Sequence, residues 1–132
     1  MQVTLRPYQD TDAQAFACAV NDSLDTLRPW LLWVHAGFTA AQARQWFNIT
    51  HLLRDKGEAN ELGLFAADGR LLGGAGLRYS RDRPDHCSIG YWVRSSEQRK
   101  GIASYAVHHL VQLAWQNPGR KVVEILAAED QA

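Results

Sequence analysis

The sequence predicts an α/β fold in which a mixed, mostly antiparallel sheet is flanked by helices. Apolar and polar residues alternate in several short stretches, which is typical of strands buried on one face. Longer stretches carry apolar residues at helical spacing, and Asp68-Gly69 lies between two β-rich stretches as a hairpin signal. The predicted order of elements is β, α, α, β, β, β, α, β. The last helix joins two strands that we expect to be parallel.

The composition is that of a single globular domain of 132 residues. Apolar residues make up 46% and charged residues 21%, and the formal net charge of zero argues against a general nucleic-acid binder. No stretch approaches the roughly 20 apolar residues of a membrane span, and the N-terminus lacks a signal-peptide pattern, so we expect a cytoplasmic location. Cys18 and Cys87 lack metal-ligand spacing, so we expect two reduced core thiols and no metal site.

The N-terminal stretch predicts a strand followed by a helix. Residues 3–8 alternate, and Pro7 indicates that the strand ends there or lies at a sheet edge. Thr11 stands three residues before Gln14 in the pattern of a capping box, and apolar residues follow at helical spacing. We therefore expect the first helix to run from Thr11 to about Asn21.

A second helix is predicted over residues 40–55. Thr39 and Gln42 again form a capping-box pattern ahead of an apolar stripe at helical spacing. Gly57 supplies the stop signal.

Between the two helices lies an apolar, aromatic segment that contains Arg28, Trp30 and Trp33. Its tryptophans are typical of a hydrophobic core. Large rigid aromatics also line binding clefts, so the segment could instead form the wall of a site.

The middle of the chain predicts a three-stranded meander. Residues 61–67 and 70–79 flank the Asp68-Gly69 turn, and residues 87–93 alternate as a third strand. Three glycines in the second strand indicate a bulge or a close backbone approach: Gly73, Gly74 and Gly76.

Residues 95–104 lie between the third strand of the meander and a helix that ends near Trp115. A helix N-terminus presents amide groups without partners and a positive dipole end, so this stretch predicts an anion site, usually for phosphate. Arg99 and Lys100 add mobile positive charge, whereas Glu97 is expected to be a solvated turn residue. The helix is followed by a β-rich stretch, residues 121–127, which predicts a crossover and parallel pairing.

The stretch Gln98-Arg99-Lys100-Gly101-Ile102-Ala103 matches the Q/R-x-x-G-x-G/A signature of the GNAT superfamily of N-acetyltransferases. The signature follows a predicted strand and opens a predicted helix, as that family requires. Residues 89–93, residues 27–33 and the opening Leu5-Arg6-Pro7 resemble the branch that acetylates the N-termini of ribosomal proteins. The resemblance covers the chain from Val3 to its end.

The resemblance implies acetyl-CoA as co-substrate. In the family, backbone amides of the signature loop hold the CoA diphosphate, and backbone of the preceding strand, here around Trp92 and Val93, bonds the pantetheine arm. That arm enters where two parallel strands splay apart, here residues 87–93 and 121–127. The implied loop residues are Gln98, Arg99, Lys100, Gly101, Ile102, Ala103 and Ser104.

By the same resemblance, the reaction is direct acetyl transfer to an amine, either a protein N-terminus or a small molecule. It requires a base for the amine proton and donors at the thioester oxygen. Glu124, beside the cleft, is the first candidate base, and Tyr91 could donate a proton or orient a water; a solvated Glu124 and a core Tyr91 are the alternatives. Ser88 is a third candidate. The expected acceptor-binding residues are Arg28, Trp30 and Trp33.

The sequence departs from the family pattern after its last predicted strand. Family members normally continue with a helix and two strands, a region that commonly carries an Asn contacting CoA and a Tyr or Ser acting on the leaving thiolate. We therefore expect one domain over residues 1–132 that resembles a C-terminally shortened acyl-CoA N-acyltransferase. An exposed sheet edge predicts pairing with a second copy. The alternative function is a non-catalytic acyl-CoA-binding or dimerising module.

Overall fold

The structure is a computed structural model that describes residues 2–27, 34–80, 82–83, 85–98, 100–116 and, for the backbone, 122–126. Four residues that the sequence assigned to the site lie outside this part of the chain: Arg28, Trp30, Trp33 and Arg99.

Five strands form one sheet in the order β1-β2-β3-β4-β5. The first four strands pair antiparallel, and β4 pairs parallel with β5. The predicted fold class, the meander and the parallel pair are therefore confirmed. The elements are β1 (Val3–Arg6), α1 (Ala13–Asp22), α2 (Leu24–Leu27), α3 (Ala40–Asp55), β2 (Ala59–Ala66), β3 (Leu71–Tyr79), β4 (His86–Val93), α4 (Ile102–Trp115) and β5 (Val122–Leu126).

The second capping box forms as the sequence predicts. The Gln42 amide N–H donates to the Thr39 hydroxyl at 3.1 Å, and the Thr39 amide N–H donates back to the Gln42 side chain at 2.9 Å. These two bonds give acceptors to amide groups that have none within the helix. The helix covers the predicted range and ends before Gly57, which has a positive φ of 70°.

The predicted start of the first helix is wrong. Asp12 accepts hydrogen bonds from Arg6 at 2.9 and 3.1 Å and from the Gln9 amide at 2.8 Å. These bonds hold Asp10–Asp12 as a 3₁₀ turn, so α1 begins at Ala13 and the predicted capping box of Thr11 and Gln14 is absent. The short helix α2 was not predicted.

The two faces of the sheet carry separate hydrophobic clusters. Helices α1 and α3 cover one face, where an aromatic cluster joins them to the rest of the chain. In this cluster Tyr8 stacks on Phe47 of α3 at 4.7 Å, and Phe16 of α1 packs edge-on against Trp92 of β4 at 5.8 Å. Helix α4 covers the other face with a buried aliphatic stripe. The members of that stripe are Ile102, Ala106, Leu110 and Ala114.

The β3 glycines lie at close approaches, as predicted. A Cβ on Gly73 would collide with the Trp92 carbonyl oxygen, and a Cβ on Gly76 would collide with the Glu61 carboxylate. A Cβ on Gly74 would lie 2.5 Å from the Tyr8 hydroxyl and 2.6 Å from Trp92 Nε1. Gly74 and Gly76 therefore make room for side chains, whereas Gly73 lies against the backbone of β4.

The two cysteines have different environments. Cys87 is buried in β4, whereas Cys18 is exposed on α1, so the predicted core position is wrong for Cys18. Neither thiol forms a disulfide. Within the described ranges, no helix combines the length and the apolar character needed to cross a bilayer.

Candidate functional site

The stretch that was predicted to bind an anion forms a helix N-terminus at the start of α4. The chain leaves β4, makes a 3₁₀ turn over Ser95–Glu97 and enters the helix through Gly101. The first bond of the helix joins the Tyr105 amide to the Gly101 carbonyl oxygen at 3.1 Å. The three preceding amides, those of Ile102, Ala103 and Ser104, consequently have no acceptor within the helix, and Gly101 has no side chain that could cap them.

Gly101 enters the helix in a conformation that favours glycine. Its φ of 77° lies in the left-handed region, which side chains with a Cβ rarely adopt. A Cβ built on Gly101 would have no described atom within 4 Å. Among the described atoms, the Cβ side of Gly101 is therefore open.

Two side chains of the signature loop, those of Gln98 and Lys100, bind to the protein itself. Gln98 Nε2 donates to the Val93 carbonyl oxygen at 3.3 Å. Lys100 Nζ donates to the Glu97 carboxylate at 2.8 Å. The prediction of a mobile positive charge at Lys100 is therefore wrong, because the ammonium group already has an ionic partner. Both side chains therefore hold the loop in shape through bonds within the protein.

Glu97 is buried, with 7% of its surface exposed, so the prediction of a solvated turn residue is wrong. Its second carboxylate oxygen accepts from Arg70 Nε at 2.9 Å, and Arg70 also bonds Asp68 at 3.0 Å. The hydrogen bond from Lys100 and the charge of Arg70 lower the pKa of Glu97 against the opposing effect of burial. The β2–β3 turn is thereby tied to the signature loop.

A second set of bonds ties the exit of β4 to the end of α1. Arg94 forms an ion pair with Asp22 at 2.9 Å. The Ser95 amide donates to the Ser23 hydroxyl at 3.0 Å, and the Ser95 hydroxyl donates to the Asp22 carbonyl oxygen at 3.1 Å. Sequence reasoning missed these contacts, since the partners are more than 70 residues apart and carry no local signal.

The register of β4 decides which peptide groups face the parallel neighbour. The Arg94 amide donates to the Leu72 carbonyl oxygen at 2.7 Å, which defines a hydrogen-bonded pair with β3. Because such pairs alternate in antiparallel sheets, the peptide groups of Trp92 also face β3, and those of Tyr91 and Val93 face the β5 side. Within the described residues, the pairing of β4 with β5 extends as far as Gly90 and Leu126.

The predicted catalytic residues lie at different places on the sheet. Tyr91 is buried in the cluster under α4, and burial raises the pKa of its phenol. Ser88 is three positions earlier on the same strand, so its side chain lies on the opposite face. Glu124 pairs with Ser88 in the register of β4 and β5. The sheet therefore does not bring Tyr91 together with Ser88.

A pocket of about 370 Å³ lies between the N-terminal half of α3 and the chain that precedes it. Its lining mixes aromatic, aliphatic and amide side chains: His35, Phe38, Gln42, Gln45, Trp46 and Ile49. His35 follows the segment that was predicted to bind the acceptor, and its Nε2 lies 3.1 Å from Gln42 Nε2.

Comparison with known proteins assigns the fold and this loop to a family. Residues 2–132 match the acetyltransferase (GNAT) domain. Because the match spans nearly the whole chain, the protein belongs to the GNAT acetyltransferase family. This membership confirms the predicted family and, in general form, the predicted acetyl-transfer chemistry. A search of curated proteins gave no match.

Solved structures share the fold at low sequence identity. RimJ from Mycobacterium smegmatis, in complex with CoA-disulfide, has a TM-score of 0.79 and 20% identity over 98% of this chain and 64% of its own. The microcin C7 self-immunity acetyltransferase MccE, in complex with acetyl-CoA and AMP, has a TM-score of 0.79 and 17% identity over 98% and 71%. A Salmonella typhimurium acetyltransferase that modifies the N-terminal serine of ribosomal protein L7/L12 has a TM-score of 0.77 and 19% identity. The match covers 95% of this chain and 70% of that protein's chain.

These likenesses establish the fold, and the ribosomal-protein acetyltransferases among them agree with the predicted branch. The complexes with CoA and acetyl-CoA agree with the predicted co-substrate of the family.

Proposed function

We propose that this protein binds acetyl-CoA and transfers its acetyl group to an amine, either a protein N-terminus or a small molecule. The observation that carries the proposal is the first turn of α4, where three amides have no helical acceptor and follow Gly101, whose Cβ side holds no described atom within 4 Å. Together with the helix dipole, these amides suit the CoA diphosphate. Gln98 and Lys100 contribute by shaping the loop, and Arg99 remains a predicted ligand.

The pantetheine arm would run along the end of β4. Trp92 and Val93 were the predicted contacts, and the strand register supports Val93, whose peptide groups face the β5 side. The same register favours Tyr91 over Trp92 for a backbone contact, since the peptide groups of Trp92 face β3. The Val93 carbonyl oxygen has two lone pairs, so its bond to Gln98 does not exclude a second donor.

In the proposed reaction, the neutral amine attacks the thioester carbonyl carbon. A C–N bond forms and the C–S bond breaks, while the amine loses a proton and the departing thiolate gains one. Tyr91 is the proposed acid, since a phenol carries a proton at neutral pH; burial raises its pKa, which makes it a weaker donor to the thiolate than an exposed phenol. Glu124 is the proposed base, and Ser88, its pairing partner on β4, is the other candidate.

Arg28, Trp30 and Trp33 remain the proposed acceptor-binding residues. His35, two positions after Trp33 in the sequence, lines the pocket beside α3. Its aromatic and amide lining suits an apolar side chain next to a peptide bond. Pairing into a homodimer through the sheet edge and a cytoplasmic location also remain predictions.

One observation favours the alternative of a non-catalytic acyl-CoA-binding module. Tyr91 lies three positions after Ser88 on β4, so their side chains are on opposite faces of the sheet. Glu124 on β5 is paired with Ser88 and not with Tyr91. A protein that only binds acyl-CoA would need the signature loop before α4 but would not need these side chains to act together.

Two measurements separate these functions. Calorimetric titration with CoA tests the loop, and release of free thiol from acetyl-CoA in the presence of an N-terminal serine peptide or a small amine tests transfer. We expect binding together with amine-dependent thiol release, and a slower release by Tyr91→Phe. Binding without release would identify the binding module, and no CoA binding would overturn the proposal.

A further inference from the structure

The carboxylate of Glu97 is the buried centre of a four-residue ionic cluster next to the signature loop. Its side chain is only 9% exposed, whereas those of Arg70 and Lys100 are each 45% exposed. Each carboxylate oxygen accepts one charge-assisted hydrogen bond, from Arg70 at 2.9 Å and from Lys100 at 2.8 Å. Asp68 bonds the other side of Arg70.

The two cations come from separate parts of the chain. Arg70 directly precedes β3, after the hairpin turn, so its backbone is fixed by the sheet. Lys100 directly precedes Gly101, whose left-handed conformation starts α4. Glu97 is therefore the link through which a rigid strand end fixes the residue ahead of the helix N-terminus.

We infer that Glu97 is a positioning residue for CoA: it pre-forms the signature loop in the geometry that binds the diphosphate, without touching the ligand. This inference rests on the proposed function of the loop. A loop that is already ordered loses less conformational freedom when the ligand binds, and the affinity rises accordingly. The positioning acts through Lys100 and Arg70.

Electrostatics alone predicts the opposite effect of Glu97. The cluster contains two carboxylates, Asp68 and Glu97, and two cations, Arg70 and Lys100, so its formal charge is zero. Neutralising Glu97 would leave a net positive cluster beside a site for a polyanion and would strengthen its attraction for CoA. A positioning role predicts weaker binding, so the sign of the change distinguishes the two.

The test compares two variants of the full chain. Glu97→Gln keeps the shape of the side chain and removes its charge. Glu97→Asp keeps the charge, but its shorter side chain cannot reach both cations. We expect each variant to raise the Kd for CoA about tenfold, because each loses at least one charge-assisted hydrogen bond that orders the loop. A pure charge effect would tighten binding by Glu97→Gln and leave Glu97→Asp unchanged.

Asp68→Asn is the matched control. It removes a carboxylate from the same cluster, but this carboxylate is 62% exposed and lies on the hairpin side of Arg70. We expect less than a twofold change in the Kd for CoA. An equal loss of affinity in all three variants would overturn the inference, because the effect would then not be specific to Glu97.

Steady-state kinetics adds a readout that general destabilisation would not give. Since Glu97 lies away from the reacting atoms, the KM for acetyl-CoA should rise in both variants while kcat at saturation stays unchanged. If Glu97→Gln does not fold, Glu97→Asp alone decides the sign. Unchanged or tighter CoA binding by Glu97→Asp overturns the inference and leaves the proposed function standing, whereas a wild-type protein that binds no CoA overturns both.

Discussion

Gly101→Val should lower both the stability of the protein and its affinity for CoA. The backbone of Gly101 has a φ of 77°, a conformation in which a Cβ costs roughly 1–2 kcal/mol. The free energy of unfolding should fall by about this amount, which changes the ratio of folded to unfolded protein by a factor of about 5–30. Urea unfolding measures the stability, and calorimetric titration measures the affinity. A valine variant with wild-type stability would refute the strain argument.

Gly101→Asn separates strain from exclusion of the ligand. Asparagine adopts left-handed conformations more readily than valine does, so it should lose clearly less stability. Its side chain nevertheless points into the space that has no described atom within 4 Å of the Cβ position. If the CoA diphosphate occupies that space, the asparagine variant should lose CoA affinity as the valine variant does. Wild-type affinity in Gly101→Asn would refute the assignment of this space to the ligand.

Two further predictions concern stability. Gly74→Ala should cost about 1–3 kcal/mol of unfolding free energy in a urea titration, because the added methyl would overlap the Tyr8 hydroxyl and Trp92 Nε1; a neutral effect would show that this face of the sheet is loosely packed. The stability lost in Glu97→Gln should depend on pH. The hydrogen bond from Lys100 lowers the pKa of Glu97 below 4.5, so the contribution is complete above that value and disappears as the pH falls through the lowered pKa. A difference between wild type and Glu97→Gln that stays constant from pH 7 to strongly acidic solution would contradict the role of the charge.

The elements that the sequence predicted correctly are those with local causes. The Thr39–Gln42 box defines the start of α3 through contacts within one turn. The Asp68-Gly69 turn joins two strands through four neighbouring residues, with Gly69 at a φ of 88°. The position of the signature between β4 and α4 also follows from short patterns, so the helix N-terminus could be located before any coordinates were known.

The errors lie where distant side chains decide the outcome. The Arg6 side chain selects Asp12, six residues away, and so moves the start of α1. Arg70 lies 27 residues from Glu97, and their contact requires the hairpin turn to lie beside the loop. A single sequence contains no record of such a pairing, so Glu97 could only be interpreted as a charged residue in a turn.

In the signature loop, side chains and backbone have different roles. Gln98 and Lys100 bond the protein, and the amides that follow Gly101 are left for the ligand. The number of basic residues in the loop is therefore a poor guide to its affinity for CoA, because Lys100 forms an ion pair with Glu97. What the loop requires is a residue that accepts a positive φ at position 101 and partners that hold the residues before it.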